Sequence, residues 1–552
     1  MLNKEKATLA VYGIQDRDEY PFPMYVHDHN VALMHRGKVE QFVQLERITR
    51  RKRDNQLHIH LSDLMREMKM AGRDDFDLVF VDNVVGRSFI SSRGNIRFEA
   101  PLNEDLSTGI EKGRCWWFDR EREAYVLNHE LAHVFTCLPF CGSFKDDSLL
   151  VHFDGGASLS NFSAWTYKDN NIESVEYHWD LKLLTTMYNA NALVFGIIGA
   201  KLHDQNAVPG KMMGYASFGT YREELEVWLS KHNWFEDCWG KRSVFFNAAR
   251  EEMCWDGRFF DLKDPFLQDI VATMQGVFER ELIARLEMLQ RKTGCKNLYL
   301  TGGCALNIVA NTAIIDQDIF DLVFIPPCTE DSGLALGAAA FMEWMKHGEV
   351  AIHDPYLNNY GLENGEMEYT NEDLEEVAQR LVRGEVLAVC NGLGEAGPRA
   401  LGNRSIIALA NSAKLARKVS ITHKGREWYR PVAPILLEKN ARLFAGRDVI
   451  HPLSKYMLLD FRVVDEYKAE MAGVVHVDGT SRMQVLFDRS DNPYMYDLLS
   501  LLHEKYNVRA LINTSFNKRG EPIVHTPENA IDSAKNLGLQ GVVVNGKLTE
   551  CC

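Results

Sequence analysis

"LLVHFDGGAS", Leu149 to Ser158, sets an apolar run directly against an aspartate and two glycines. A run of this length that ends in a Gly-rich turn reads as a buried strand delivering a carboxylate, Asp154, into a loop whose backbone N–H groups can meet a ligand. The same shape recurs in "ATLAVYGI" (Ala7 to Ile14), "DLVFVDNVVG" (Asp77 to Gly86) and "NLYLTGGCALN" (Asn297 to Asn307). Between them lie helical stretches such as "FLQDIVATMQGVFERELIARLEMLQRKTG", Phe266 to Gly294, whose apolar positions recur at three and four residues. Strands and helices that alternate in this way predict α/β layers.

At 552 residues the chain exceeds one ordinary core. Two large lobes are the simplest arrangement. The polar segment "HDPYLNNYGLENGEMEYTNEDLEE", His353 to Glu376, reads as a linker into a new helix capped by Thr370 or Asn371, with the boundary near 355 to 370. Beyond it the strand, turn and helix pattern resumes, so the second lobe is α/β or α+β. No fixed-period repeat indicates a solenoid.

The N-terminus lacks the apolar core of a signal peptide, and "NALVFGIIGAKLH", Asn191 to His203, is too short to span a bilayer and reads as a buried helix. These features predict a cytoplasmic protein without a membrane segment. The eleven cysteines form no CxxC pair, which argues against a zinc ribbon or a disulfide framework, and the terminal Cys551-Cys552 reads as an incidental exposed end. A net charge of −15 opposes nonspecific binding to nucleic acid. Against that background, Asn391 to Arg430 holds eight Lys or Arg and only Glu395 and Glu427 as acids. An acidic chain with one basic segment predicts a local anion site.

"LNHELAHVF", Leu127 to Phe135, contains the HExxH pattern of zinc peptidases. Positions i and i+4 share a helix face, so His129 and His133 can present two nitrogens to one cation. The extended peptidase pattern with a third histidine is absent. The nearest candidate oxygen ligand is Asp154. "PPCTEDSGLALGAAAF" adds Asp331 ahead of a small-residue helix, and "PGKMMGYASFG", Pro209 to Gly219, adds glycines where a backbone could approach a ligand closely. Mixed imidazole and carboxylate ligation suits Fe(II), Mn(II) or Zn(II).

"VHDHNVALMHRGKV", "LERITRRKRD", "LNHELAHVF", "VHFDGGAS", "GKMMGYASFG", "TGGCALN" and "PPCTEDSGLALGAA" resemble the successive motifs of the NodU/CmcH-type O-carbamoyltransferases. "GEAGPRALGNRS", "HKGREWYRPVAP", "HVDGTSRMQV" and "LINTSFNKRGEPIVHTPENA" continue the resemblance, which covers nearly the whole chain in order. It implies an actin-like ATPase (ASKHA-type) lobe over residues 1–360, similar to the tRNA threonylcarbamoyl-transfer enzyme. It implies for residues 361–552 a C-terminal α/β lobe similar to YrdC-like carbamoyl-adenylate-forming domains.

The implied activity is ATP-dependent transfer of a carbamoyl group from carbamoyl phosphate, through carbamoyl-adenylate, to a hydroxyl of a small secondary metabolite such as an antibiotic. By motif match, Arg399, Arg430, Arg482, Asn517 and Arg519 meet carbamoyl phosphate, with Asn513 and Ser515 as weaker contacts. Arg404, Lys424 and Arg426 stay open between phosphate contact and solvated face. His129, His133, Asp154 and Asp331 are the implied metal ligands, iron being the favoured ion. Gly155, Gly156, Ala157 and Ser158 fall near the ATP phosphates, and Gly302, Gly303 and Asn307 near the ribose or adenine.

His27 is the candidate base for the acceptor hydroxyl, with His29 and His35 as rivals. Lys52 would meet the acceptor or a phosphate. Glu130 would be structural and the least sensitive to replacement. The chain departs from the family in an insertion, Gln15 to Tyr25, and at Leu393, where an arginine is usual and Arg404 is the candidate substitute. A tRNA threonylcarbamoyl transferase, a catalytically silent relative and a metallopeptidase are the alternatives. Enzymes of this size are often symmetric dimers.

Overall fold

The computed structural model describes residues 2–15, 26–83, 88–107, 109–179, 206–235, 242–258, 260–362 and 367–551. The apolar window Asn191–His203 and all of the Gln15–Tyr25 insertion except Gln15 lie outside the described residues.

The N-terminal half builds one strand pattern twice. In the first copy the strands run Lys38–Gln44, Asn30–His35, Ala7–Tyr12, Phe76–Val81, Arg120–Leu127 across the sheet. In the second they run Asn171–His178, Phe162–Lys168, Ser148–Phe153, Asn297–Thr301, Leu322–Phe324. Each copy begins with two antiparallel hairpin pairings and then adds two strands in parallel. Three further antiparallel strands, Ser88–Ser92, Ile96–Ala100 and Glu111–Trp117, extend the first copy. This duplicated order is the actin-like arrangement, and it aims the carboxyl ends of the central strands at one place, where ligands of open α/β sheets bind.

The parallel strands read as apolar runs because both faces are covered: Ala7–Tyr12, Ser148–Phe153 and Asn297–Thr301 are buried throughout. Two helices, His129–Phe135 and Leu334–His347, share one apolar cluster with Val79 and Leu127 of the first sheet and Leu150 and Tyr299 of the second. They approach closely because of Gly337, where a Cβ would stand 1.9 Å from the Ala132 carbonyl oxygen. The long helix Pro265–Thr293 stops at Gly294, which takes the left-handed conformation at φ 71°.

The C-terminal half is a seven-stranded mixed sheet in the order Gln484–Leu486, Ala433–Leu437, Ala510–Ser515, Arg404–Leu409, Leu387–Cys390, Gly541–Val544, Lys547–Glu550. Its first helix, Asn371–Val382, is capped by the Thr370 side chain, with Asp373 closing a capping box. One apolar cluster runs from Phe153 and Phe278 through Tyr215 and Tyr429 to Ile406 and Ile512 and so joins the two lobes. Polar clamps add to it: Arg50 donates to the carbonyls of Pro522 and Ile523, and Arg47 to that of Gly397. Among the described residues no helix is long and apolar enough to cross a membrane. The α/β class read from the sequence is the one observed.

Gly337→Ala is expected to lower unfolding stability by about 1–3 kcal/mol, because the two central helices must part to admit the methyl group. A urea titration followed by tryptophan fluorescence measures the loss, and an unchanged midpoint would contradict the packing described.

Candidate functional site

Asn128 starts the helix that carries the HExxH pattern, its side chain accepting the Leu131 N–H at 2.9 Å. From that helix His129 Nε2 and His133 Nε2 meet 3.0 Å apart. Asp331 arrives from the second copy, in a 3-10 turn at the head of the Leu334–His347 helix. Its Oδ1 lies 3.6 Å from His129 Nε2 and 3.5 Å from His133 Nε2. Asp154 Oδ2, at the end of its strand, lies 3.7 Å from His133 Nε2. Separations near 3 to 3.7 Å are about those between ligands that each sit roughly 2.1 Å from a shared ion.

The outer nitrogens fix the tautomers. His129 Nδ1 faces the Asp82 carbonyl at 3.3 Å and His133 Nδ1 the Thr329 carbonyl at 3.1 Å. A hydrogen on each Nδ1 leaves both Nε2 lone pairs turned toward each other, an arrangement that a cation satisfies. The donor set therefore fits a divalent metal held by His129, His133 and Asp331, with Asp154 at its edge. Burial works to raise the Asp331 carboxyl, but the neighbouring His27 and His129 outweigh it and hold it well below its usual range.

His27 stands beside this centre, with Nδ1 2.9 Å from Asp28 Oδ2 and 3.7 Å from Asp331 Oδ2. Burial pulls its pKa down, yet Asp331 and Asp28 together push it up to about 9. Charge that Asp331 shares with a cation is withdrawn from His27. Asp28 sits in the left-handed region at φ 57°, a conformation uncommon outside glycine. Asn30 secures the turn by donating to the carbonyls of Asp28 and Asp331 while accepting the Ala335 N–H. Of the rivals, His29 is wholly buried and its Nδ1 accepts the Leu57 N–H, while His35 pairs with Glu40.

Glu130 faces away from the metal donors. It is fully buried, and its Oε1 accepts the N–H groups of Leu159 and Ser160 at 2.7 and 2.9 Å and the Ser160 hydroxyl at 3.1 Å. No substrate can reach it there. The expectation that Glu130 tolerates replacement best is corrected: it anchors the turn that follows the Asp154 loop.

A cleft of about 1010 Å³ runs from His27, Asp154 and Asp331 to the C-terminal lobe. Its far wall carries Arg399, Arg426, Arg430 and Arg482. Burial, and then the charge of neighbouring arginines, lower three guanidinium groups: Arg399 falls to about 10, Arg426 to about 9, and Arg482 well below its usual range. Arg399 Nε and Arg482 Nε are buried and have no hydrogen-bond partner. Glu427 is the nearby acid, shared among Lys211 at 3.1 Å, Arg519 at 3.2 Å and Arg430 at 3.5 Å. More positive charge than the wall can neutralise is what an anion site requires.

Lys52, Gly155, Gly156, Gly303 and Asn307 also line the cleft. Burial lowers the Lys52 ammonium to about 8. The Asn307 side chain is committed, capping the 308–316 helix and exchanging hydrogen bonds with Gln275. Ala157 and Ser158 lie beneath the surface, the serine hydroxyl bridging Asp82 and the His129 N–H. Gly302 is a backbone requirement: at φ 92° a Cβ there would stand 2.1 Å from the Phe153 carbonyl oxygen. Asn517 lines the cleft but spends its amide within its own loop, accepting from Lys424 and donating to the Glu521 carbonyl. Asn513 has a buried Oδ1 without a partner, and Ser515 Oγ is 2.7 Å from Asn517 Oδ1.

Of the open cations, Arg426 joins the guanidinium wall. Lys424 ties the Ser515–Asn517 turn together. Arg404 does not stand in for an arginine at Leu393: it is buried and donates to the carbonyls of His525, Asn391, Asn403 and Gly392. "PGKMMGYASFG" places Pro209, Gly210 and Lys211 on the cleft wall. Its core is a helix, Val208–Ala216, that packs Tyr215 on Tyr429 of the other lobe and pairs Lys211 with Glu427. Sequence reasoning missed Tyr12, Asp82 and Glu330. Tyr12 donates to Asp331 Oδ2, and burial pushes Asp82 to about 8 and, together with Asp28, Glu330 to about 8. Tyr12 and Asp82 end apolar strands; that position was the one signal available.

Two models describe the same family along this chain, carbamoyltransferase N-terminus over residues 106–340 and carbamoyltransferase C-terminus over residues 378–550. Nodulation protein U of Azorhizobium caulinodans is 34% identical over 544 residues, spanning 90% of this chain and 92% of that protein. Nodulation protein NolNO of Sinorhizobium fredii is 26% identical over 566 aligned positions, spanning 95% of this chain and 79% of that protein. A solved HypF from T. kodakarensis is 17% identical over 33% of this chain and 22% of its own, with a TM-score of 0.24. The chain belongs to the carbamoyltransferase family.

Replacing Glu130 with Ala takes the acceptor from the Leu159 and Ser160 N–H groups and should cost about 1–3 kcal/mol of stability, whereas Glu130→Gln keeps an acceptor oxygen and should cost less. Thermal melts of the two variants separate these outcomes. Equal melting of both with the parent would contradict the anchoring role.

Proposed function

We propose that this carbamoyltransferase is ATP-dependent, uses carbamoyl phosphate as donor and carbamoylates a hydroxyl of a small secondary metabolite. The observation that carries the reading is one cleft with two unlike walls: orphaned guanidinium donors on one side, an imidazole and carboxylate centre on the other. Arg399, Arg426, Arg430 and Arg482 would bind the dianionic donor, with Arg519 at the rim. Water takes the phosphoryl group, the carbamate oxygen attacks the α-phosphorus of ATP, and pyrophosphate leaves. Residues 361–552 would form this carbamoyl-adenylate and residues 1–360 would transfer it.

In the transfer step His27 takes the acceptor proton at Nε2, while Asp28 holds Nδ1 and supports the imidazolium that forms. The acceptor oxygen bonds to the carbamoyl carbon and AMP leaves. Gly155, Gly156 and Gly303 would offer their backbone to the nucleotide. His129, His133, Asp331 and Asp154 would hold a divalent metal, Fe(II), Mn(II) or Zn(II), whose charge would neutralise phosphate oxygens. The net charge of −15 supports a small acceptor over tRNA.

The test is pyrophosphate release from ATP and carbamoyl phosphate in the presence of Fe(II) or Mn(II), with carbamoyl-adenylate detected by mass spectrometry. Arg399→Met and Arg482→Met should abolish pyrophosphate release, yet melt no lower than the parent, because each removes one of several crowded like charges. His27→Gln should keep pyrophosphate release and lose about 100- to 10,000-fold in carbamoyl transfer. Absence of ATP turnover with every metal would sink the proposal.

A further inference from the structure

Each of the three buried metal donors is held at the atom turned away from their common centre. For His129 and His133 the holders are backbone carbonyls, of Asp82 and Thr329. For Asp331 the holder is a side chain. Tyr12 donates its hydroxyl hydrogen to Oδ2 at 2.9 Å, while Oδ1 faces the two imidazoles.

The direction of that hydrogen bond is set by Asn83, whose amide donates to the Tyr12 oxygen at 3.0 Å and leaves the phenol hydrogen for Asp331. The ring cannot swing away. Tyr12 is wholly buried as the last residue of its strand, edge-on to His129 at 5.7 Å and to His29 at 5.5 Å. A carboxylate free to rotate about its Cβ–Cγ bond alternates between one and two oxygens toward an ion. A hydroxyl on Oδ2 removes that freedom.

We infer that Tyr12 is a positioning residue, holding Asp331 so that Oδ1 alone is presented beside His129 and His133. The inference rests on the reading that these three side chains bind a divalent cation. Oδ2 is also the oxygen 3.7 Å from His27 Nδ1. The phenol therefore stands where the metal centre and the base adjoin.

The experiment titrates metal-free parent and Tyr12→Phe protein with Co(II) and with Mn(II), reading dissociation constants by calorimetry and the visible spectrum of the Co(II) form. Tyr12→Phe keeps the ring and its packing. Its dissociation constants should rise about 10- to 100-fold and its Co(II) absorption should change, with the metal-free melting temperature close to that of the parent. Asn83→Ala, which removes the donor that orients the hydroxyl, should weaken binding in the same direction and keeps the test open if Tyr12→Phe does not fold. Equal constants and superimposable Co(II) spectra in parent and variants would overturn the inference. A parent protein that binds neither ion would overturn the metal reading itself, and the inference with it.

Discussion

Two imidazole nitrogens 3.0 Å apart, each with its partner nitrogen committed to a backbone carbonyl, are the constraint on which the site turns. Lone pairs facing at that distance repel unless a cation or a proton lies between them, and the carboxylate of Asp331 beside them favours positive charge there. The surroundings serve that arrangement. Asn128 starts the helix, Gly337 lets the neighbouring helix approach, and Asn30 ties the His27 turn to the Asp331 turn.

Positive charge reaches the cleft from both halves. The N-terminal side mixes the carboxylates and imidazoles of the His27 and Asp331 turns with Arg50, Arg51, Lys52 and Arg53, and the C-terminal wall gathers arginines with Glu427 as their nearby acid. Half-buried guanidinium groups that lower one another's pKa cost stability in the empty protein. An arrangement of this kind persists when a ligand repays the cost, and a small dianion bearing several acceptor oxygens matches planar forks best. Glu427 tempers the repulsion at the rim, where Lys211, Arg430 and Arg519 share it.

Motif order and strand pattern made much of this visible. The apolar runs that end in Gly or Asp are the central strands, and the predicted contacts from His27 and Lys52 to Arg482 and Arg519 line the one cleft, with His129 and His133 beside it. What was less legible has a common cause. Arg404, Lys424, Asn517 and Ser158 sit in motifs as polar as those of Arg399 and Arg482, but their side chains also satisfy carbonyls, amides and turns. Residue type and spacing cannot separate a polar group that meets a ligand from one that holds the loop in place.

By itself the sequence determined the α/β class, the pairing of His129 with His133 on one helix face, the family, and the concentration of positive charge beyond residue 390. These are local properties: periodicity, i to i+4 geometry and composition act over a few residues. Tertiary structure alone decided that one strand pattern occurs twice, how closely Asp331 stands to His133, and that Tyr12 donates to its outer oxygen. It decided as well that Glu130 anchors a turn. The physical reason is that burial and hydrogen-bond partnership are long-range outcomes of packing, and the chain neighbours of a residue do not reveal which distant backbone or side chain will meet it.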